Sequence, residues 1–193
     1  MNRRQAMQSF LGTSVLAPMG IAAAGDDPPG VSAGKLRAKW LYFVADDFVV
    51  DVWKNGEVVP LSKRTLLHEI YGATVERVDL ELCAGDWLVF HVVNNRLRWN
   101  GCRFFGMAAM AADNETTIVS RKEKTWSFTD KPAEAPKFIS DRDASRHCTV
   151  NVIPPEKAWD QGAVRLDEVC GGEWRGQPIW GDAPSTYLKL CID

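Results

Sequence analysis

The chain has 193 residues and a formal net charge of −2, from 23 basic and 25 acidic side chains. A weakly acidic protein offers no basic surface to nucleic acid or to an anionic membrane, so we expect neither as a partner. The length suits one domain with a sizeable hydrophobic core.

The first 24 residues have the features of an export signal. Arg3 and Arg4 form a charged start, a weakly apolar stretch follows, and alanines at 22–24 offer a cleavage site before Gly25. The stretch is too polar to span a membrane. The paired arginines resemble a twin-arginine signal, and an ordinary Sec signal is the alternative. We predict a periplasmic or secreted protein with no membrane insertion after cleavage.

Residues 25–38 predict a flexible leader, and residues 39–193 predict a single β-sandwich domain. The strand-like run FVVDVW follows a turn at Asp46 and Asp47. An alternating pattern divides this run into two faces: Phe48, Val50 and Val52 on one, Asp51 and Trp53 on the other. Asn55 and Gly56 then predict a type I′ hairpin, because both residues tolerate a positive φ.

The middle of the chain predicts further short strands. LSKRTLLHEIYG, at 61–72, is less regular and indicates one or two helical turns. VERVDLEL alternates cleanly, and WLVFHVVNN is apolar on both faces, which predicts a central strand in which His91 is a satisfied core residue. CRFFGMAAMAA favours a buried strand over a helix.

The remaining segments complete the predicted sandwich. TTIVS, TWSFTD and STYLKLCI indicate strands, whereas residues 132–161 are rich in proline and irregular. Short strands separated by turns predict an all-β fold, an antiparallel β-sandwich.

Several segments, taken in order, resemble one known family. VADDFVVDVWKNGEVV, VERVDLELCAGDWLVFHVVNN, WNGCRFFGMAAM and TTIVSRKEKTWSFTD are similar to the galactose-binding-domain-like jelly rolls found as accessory domains of bacterial rhamnosidases and other glycoside hydrolases. The resemblance implies a jelly-roll fold and a carbohydrate setting. It does not imply a particular ligand, because function resides in sites rather than in folds.

Two loops combine the flat aromatic faces and planar polar groups that sugars require. The predicted carbohydrate-binding residues are Asn95, Arg96, Arg98, Trp99, Trp174, Arg175 and Gln177. The alternative is that these tryptophans are buried and plug the ends of the sandwich.

Asp46 and Asp47 are candidate ligands of a structural calcium, which jelly rolls of this kind often hold. The alternative is turn chemistry, in which the aspartates cap a tight bend. No other cofactor is predicted.

Five cysteines are present, at positions 83, 102, 148, 170 and 191. Export permits disulfides, but the odd count leaves at least one cysteine without an intramolecular partner. The sequence leaves the pairing open among Cys83, Cys102, Cys148, Cys170 and Cys191.

No nucleophile elbow, phosphate-binding loop or dinucleotide fingerprint occurs. We therefore predict a non-catalytic exported module that binds carbohydrate or a cell-envelope partner. The alternatives are an exported metal- or cofactor-containing enzyme or redox protein, and a purely structural envelope protein.

Overall fold

The computed structural model describes five stretches of the chain, and β-strands dominate them. The described residues are 35–70, 73–94, 103–144, 148–158 and 160–193. The predicted signal peptide at 1–24, and the predicted leader as far as residue 34, lie outside them. In the described residues the strands are β1 (Leu36–Ala45), β2 (Phe48–Lys54), β3 (Glu57–Val58), β4 (Arg64–Ile70), β5 (Ala73–Cys83), β6 (Trp87–Val93), β7 (Phe105–Met110), β8 (Thr116–Val119), β9 (Trp126–Thr129), β10 (Asn151–Val152), β11 (Ile179–Trp180) and β12 (Ser185–Cys191). The same described stretches contain the helices α1 (Ala135–Ser140) and α2 (Asp160–Cys170) and 3₁₀ turns at Leu61–Lys63 and Pro155–Lys157.

Ten of these strands form two antiparallel sheets that pack face to face. Sheet A has the order β4-β5-β1-β7-β8, and sheet B has the order β3-β2-β6-β12-β9. A short ribbon of β10 and β11 joins neither sheet by strand pairing, but Ile179 and Trp180 of β11 are buried in the main core. The fold is therefore the predicted all-β antiparallel sandwich, compatible with a jelly roll, and β6 is a central strand as its two apolar faces predict.

The predicted turns form where the sequence places them. Asn55 and Gly56 have φ angles of 53° and 85°, as a type I′ hairpin between β2 and β3 requires. Asp47 and Asn114 also have positive φ angles, of 71° and 67°. Such angles are unfavourable for most side chains but are tolerated by aspartate and asparagine.

A β-bulge in β2 changes the predicted faces of that strand. Val49 pairs with Val92 and Asp51 pairs with His91, so Val50 is an extra residue between two ladder positions. Val49 and Val52 both enter the core. The prediction that Phe48, Val50 and Val52 share a face is therefore wrong, because Val50 is the inserted residue and Phe48 lies on the face opposite to that of Val52.

Four aromatic side chains join the two sheets at the centre of the sandwich. The rings of Phe43 and Phe105, from sheet A, lie 5.6 and 5.0 Å from that of Phe90, in sheet B. Trp126 lies 6.3 Å from Phe90 and 6.1 Å from Phe105. All four side chains are almost wholly buried, and their contacts are edge-on, tilted or, for Phe90 and Trp126, stacked at 25°.

Helix α2 covers part of the outer face of sheet A and forms a second, smaller core. Phe104, Leu166 and Trp174 are buried there against residues of β1 and β7. A Cβ atom added at Gly106 would lie 2.5 Å from Leu166, and one at Gly162 would lie 2.6 Å from Phe104. The two glycines therefore permit the close approach of helix and sheet.

The segment that contains α1 covers one half of the outer face of sheet B. Phe138 of α1 is fully buried against the sheet, and Lys189 of β12 is fully buried beneath the segment. The Lys189 ammonium donates to the Asp141 carbonyl at 2.7 Å and lies 4.2 Å from the centre of the Phe138 ring. Trp87 donates from its indole nitrogen to the Ile139 carbonyl at 2.9 Å. The other half of this face, nearer the start of β12, carries the candidate site.

Three predicted elements differ from those observed. Residues 61–72 predict one or two helical turns; one 3₁₀ turn forms at Leu61–Lys63, but β4 occupies Arg64–Ile70 as an edge strand paired with β5. β1 begins at Leu36, before the predicted start at Lys39. The irregular stretch at 132–161 contains α1, β10 and the start of α2. None of the described helices is long and apolar enough to cross a membrane.

Candidate functional site

The uncovered half of the outer face of sheet B carries a row of aromatic and polar side chains. Asp51 of β2 lies opposite His91 of β6, and His91 lies opposite Tyr187 of β12. Trp53 follows on the same face of β2, and Ser185 begins β12. All five residues are partly exposed. We call Asp51, Trp53, His91, Ser185 and Tyr187 the platform.

The rings of the platform lie against one another. His91 and Tyr187 stack with their ring centres 4.3 Å apart and their planes 6° from parallel. Trp53 lies 6.3 Å from Tyr187 at an angle of 39°. Three neighbouring strands hold these rings, so the surface is positioned more rigidly than a loop would be.

Several polar atoms of the platform are free to bind a ligand. His91 Nε2 and Ser185 Oγ share a hydrogen bond of 3.0 Å. Within the described part of the chain, no residue hydrogen-bonds the Asp51 carboxylate, the Tyr187 hydroxyl or the Trp53 indole nitrogen. These groups are a carboxylate acceptor, a hydroxyl and an N–H donor.

Burial and the Asp51 charge determine the protonation of the neighbouring groups. Burial lowers the pKa of His91, and Asp51 opposes that shift. Burial, and then the Asp51 charge, raise the pKa of Tyr187. At neutral pH His91 is therefore uncharged, and so is Tyr187. The interpretation of His91 as a core residue is wrong, because the outward-facing positions of β6 reach this surface.

Only part of the predicted sugar-binding loops lies within the described residues. Asn95, Arg96, Arg98 and Trp99 lie outside the described residues. Trp174 is buried, with 8% of its surface exposed, and its indole nitrogen donates to the Met107 carbonyl at 3.1 Å. Its ring is thus part of the second core. Arg175 and Gln177 are exposed, and the Gln177 side-chain oxygen accepts from the Lys122 backbone. Sugar binding by these loops stays a prediction.

Asp46 and Asp47 lie in the turn between β1 and β2. The Asp46 carboxylate accepts a hydrogen bond from the Asn94 side chain at 3.0 Å. The backbone nitrogen of Asp46 donates to the Phe104 carbonyl. In the described ranges, no three His, Cys, Asp or Glu side chains are grouped to share a metal ion. The contacts agree with turn chemistry, and the calcium site stays a prediction.

Replacing Asp46 by asparagine is expected to stabilise the protein at neutral pH. Burial, and then the Asp47 charge, raise the pKa of Asp46 from 3.8 to about 6. The folded protein therefore binds this proton more tightly than the unfolded chain does, so stability falls as the pH rises from about 4 to about 6. This pKa shift corresponds to a loss of about 3 kcal/mol in the free energy of unfolding between acid and neutral pH. Because Asp46 is partly exposed, we expect about half of that loss.

Urea unfolding of both proteins at acid and at neutral pH measures this effect. The asparagine retains an acceptor for Asn94, so the two proteins should be equally stable in acid. Asp79→Asn, on an exposed side chain, is the control. An equal advantage of Asp46→Asn at both pH values would contradict the electrostatic explanation.

Cys83, Cys148 and Cys170 are free thiols, of which Cys148 is exposed and the other two are partly buried. Cys191 is buried, and its thiol donates to the Arg142 carbonyl at 3.5 Å. Burial raises the pKa of the Cys170 thiol, which makes it less reactive. Cys102 lies outside the described residues. Whether Cys102 forms a disulfide therefore stays open.

Two clefts also open on the surface, but they are less suited to sugars. One of about 650 Å³ lies between the β2–β3 hairpin and β5, and another of about 530 Å³ lies beside the C-terminal residues. None of the described residues that line either cleft is aromatic. The larger cleft mixes acidic side chains with lysines, and Lys54 is already paired with Asp86 at 2.9 Å.

The sequence pattern had singled out only part of the platform. The alternation of β2 correctly placed Asp51 and Trp53 together, away from Val52. It gave no reason to bring them beside His91 and Tyr187, because those residues lie in strands that are distant along the chain. Only the pairing of β2, β6 and β12 brings them together.

Comparison with known protein families, with curated proteins and with solved structures finds no match to this chain. A proposal for function therefore depends on the geometry and chemistry of the platform.

Proposed function

We propose that the chain is an exported, non-catalytic module of the galactose-binding-domain-like kind, in which the platform binds carbohydrate. The observation that carries the proposal is the arrangement of Trp53, His91 and Tyr187 on one partly exposed sheet face, beside polar groups that no described residue hydrogen-bonds. Periplasmic or secreted localisation follows from the N-terminal sequence pattern.

The chemistry of the platform suits a sugar. One face of a pyranose ring is apolar and packs on flat aromatic rings, while its hydroxyls need donors and acceptors at the ring edge. Trp53 and Tyr187 supply the rings. Asp51, the Tyr187 hydroxyl and the Trp53 indole nitrogen supply the polar groups at their margin.

Replacing Trp53 by alanine is expected to weaken sugar binding by about thirtyfold, or about 2 kcal/mol, the loss typical of an aromatic hot spot. Tyr187→Ala should weaken it by about tenfold or more. A glycan array identifies the oligosaccharide that binds best, and calorimetry then measures its affinity for each variant.

Tyr42→Ala is the matched control for these variants. Tyr42 is a partly exposed aromatic on the outer face of sheet A, so its loss should not change the affinity. Trp99→Ala tests the loop that the sequence favoured. If Trp53→Ala and Tyr187→Ala leave the affinity unchanged while Trp99→Ala lowers it, the sugar binds at the Trp99 loop and not at the platform. An array with no ligand at all would contradict the proposal.

A further inference from the structure

The carboxylate of Asp51 has no cationic partner in the described part of the chain. Its electrostatic neighbours are His91 and Tyr187, both uncharged at neutral pH. Among the residues that the structure describes, the platform therefore presents a negative charge beside aromatic rings with no protein cation paired to it.

The nearby basic residues are engaged elsewhere. Arg64 donates to the carbonyls of Val49 and Val50 at the bulge and pairs with Glu76. Lys54 pairs with Asp86 at 2.9 Å. Lys189, on the same sheet face, is buried beneath α1, and its ammonium donates to the Asp141 carbonyl. In these contacts Arg64, Lys54 and Lys189 bind partners other than Asp51.

Aromatic rings beside an unpaired carboxylate suit an organic cation. A cation over the face of tryptophan or tyrosine is attracted by the ring, more strongly where water is excluded. A carboxylate adds a charge-assisted hydrogen bond, about twice as strong as a neutral one. Among sugars, only those with a free amine combine an apolar ring face with such a cation.

We propose that the platform prefers glycans with unacetylated amino sugars, in which the sugar ring packs on Trp53 and Tyr187 and its ammonium group pairs with Asp51. This inference rests on the proposed function and specifies the ligand class of the same site. A neutral sugar would use only the rings and would leave the Asp51 carboxylate without its strongest partner.

Three tetrasaccharides of equal length and β-linkage test the preference: glucosamine, N-acetylglucosamine and glucose oligomers. Calorimetry at about pH 6, below the range in which α-amino-type amines lose their proton, should show the glucosamine oligomer binding about tenfold tighter than the other two. The preference should shrink as salt is added, because exposed charges are screened.

The variants Asp51→Asn and Asp51→Glu separate charge from folding. Asp51→Asn should remove the preference while retaining binding of the N-acetylglucosamine oligomer. Asp51→Glu keeps the charge and should restore part of the preference. Asp79→Asn, an exposed acid on sheet A, should leave all three affinities unchanged.

Each remaining outcome decides between the two proposals. Equal affinity of the wild-type protein for all three oligomers would keep carbohydrate binding and overturn the preference for amines. Binding of none of them, on a platform that a glycan array also leaves empty, would overturn both. Binding of a lysine oligomer but of no saccharide would show that the cation site serves a peptide, and would contradict the inference.

Discussion

Replacing Arg64 by methionine is expected to lower the free energy of unfolding by about 3–5 kcal/mol. The Arg64 guanidinium forms two hydrogen bonds with Glu76, at 2.9 and 3.0 Å, and donates to the carbonyls of Val49 and Val50. The side chains of Arg64 and Glu76 are only 5% and 10% exposed. Methionine would leave a buried carboxylate and two bulge carbonyls without donors, and chemical denaturation measures the loss.

A double variant and an exposed pair are the controls. Arg64→Met with Glu76→Leu removes both charges and should recover much of the loss, since an apolar pair can replace a buried ion pair. Arg77→Met breaks the exposed pair with Asp79 and should cost less than about 1 kcal/mol. A small effect of Arg64→Met alone would show that water reaches Glu76.

The Arg64 side chain also connects stability to the proposed site. It crosses from sheet A to the β2 bulge, where the extra residue Val50 sets the positions of Asp51 and Trp53. Loss of Arg64 should therefore weaken sugar binding as well as stability, although Arg64 itself is not part of the platform.

Replacing Phe90 by alanine is expected to lower the free energy of unfolding by about 3–5 kcal/mol. Phe90 is fully buried, and its ring contacts the rings of Phe43, Phe105 and Trp126. Alanine would leave a cavity at the centre of the contact between the two sheets, where the surrounding rings can relax only in part. Urea or guanidinium unfolding followed by circular dichroism measures the change.

Leu61→Ala is the control, because Leu61 is 75% exposed and its truncation should change stability by no more than about 0.5 kcal/mol. Phe90→Leu keeps most of the volume and should cost less than Phe90→Ala. Equal stability of Phe90→Ala and the wild-type protein would contradict the packing described for the core.

The strands with regular alternation could be predicted from the sequence. In β5, Val78, Leu80 and Leu82 are buried while Asp79 and Glu81 are exposed, as predicted. The hairpin at Asn55 and Gly56 could also be predicted, because its chemistry is local.

Elements that depend on distant partners could not be predicted in this way. β4 is an edge strand whose pairing with β5 outweighs the weak helical pattern of its residues. The bulge at Val50 is stabilised by Arg64, a residue fourteen positions away. Neither the β4–β5 pairing nor the Arg64–Val50 hydrogen bond produces a repeating pattern of apolar residues in the sequence.

The candidate site was the least predictable part for the same reason. The sequence places Trp174 among the predicted sugar-binding residues with burial as the alternative, and helix α2 and β7 bury it. His91 looked like a core residue because its neighbours are apolar, whereas β6 has one face toward the core and one toward the platform. A single sequence shows the alternation of a strand but not what covers each face.

Nuclear magnetic resonance mapping tests the central claim, that the uncovered face of sheet B binds sugar. The protein is titrated with the tightest oligosaccharide from the array. We predict saturable shifts of the Trp53 indole resonance and of the backbone amides of Asp51, His91 and Tyr187, while those of Trp40 and Tyr42 on sheet A stay fixed. Shifts confined to other surfaces, with the platform unchanged at saturation, would contradict the claim.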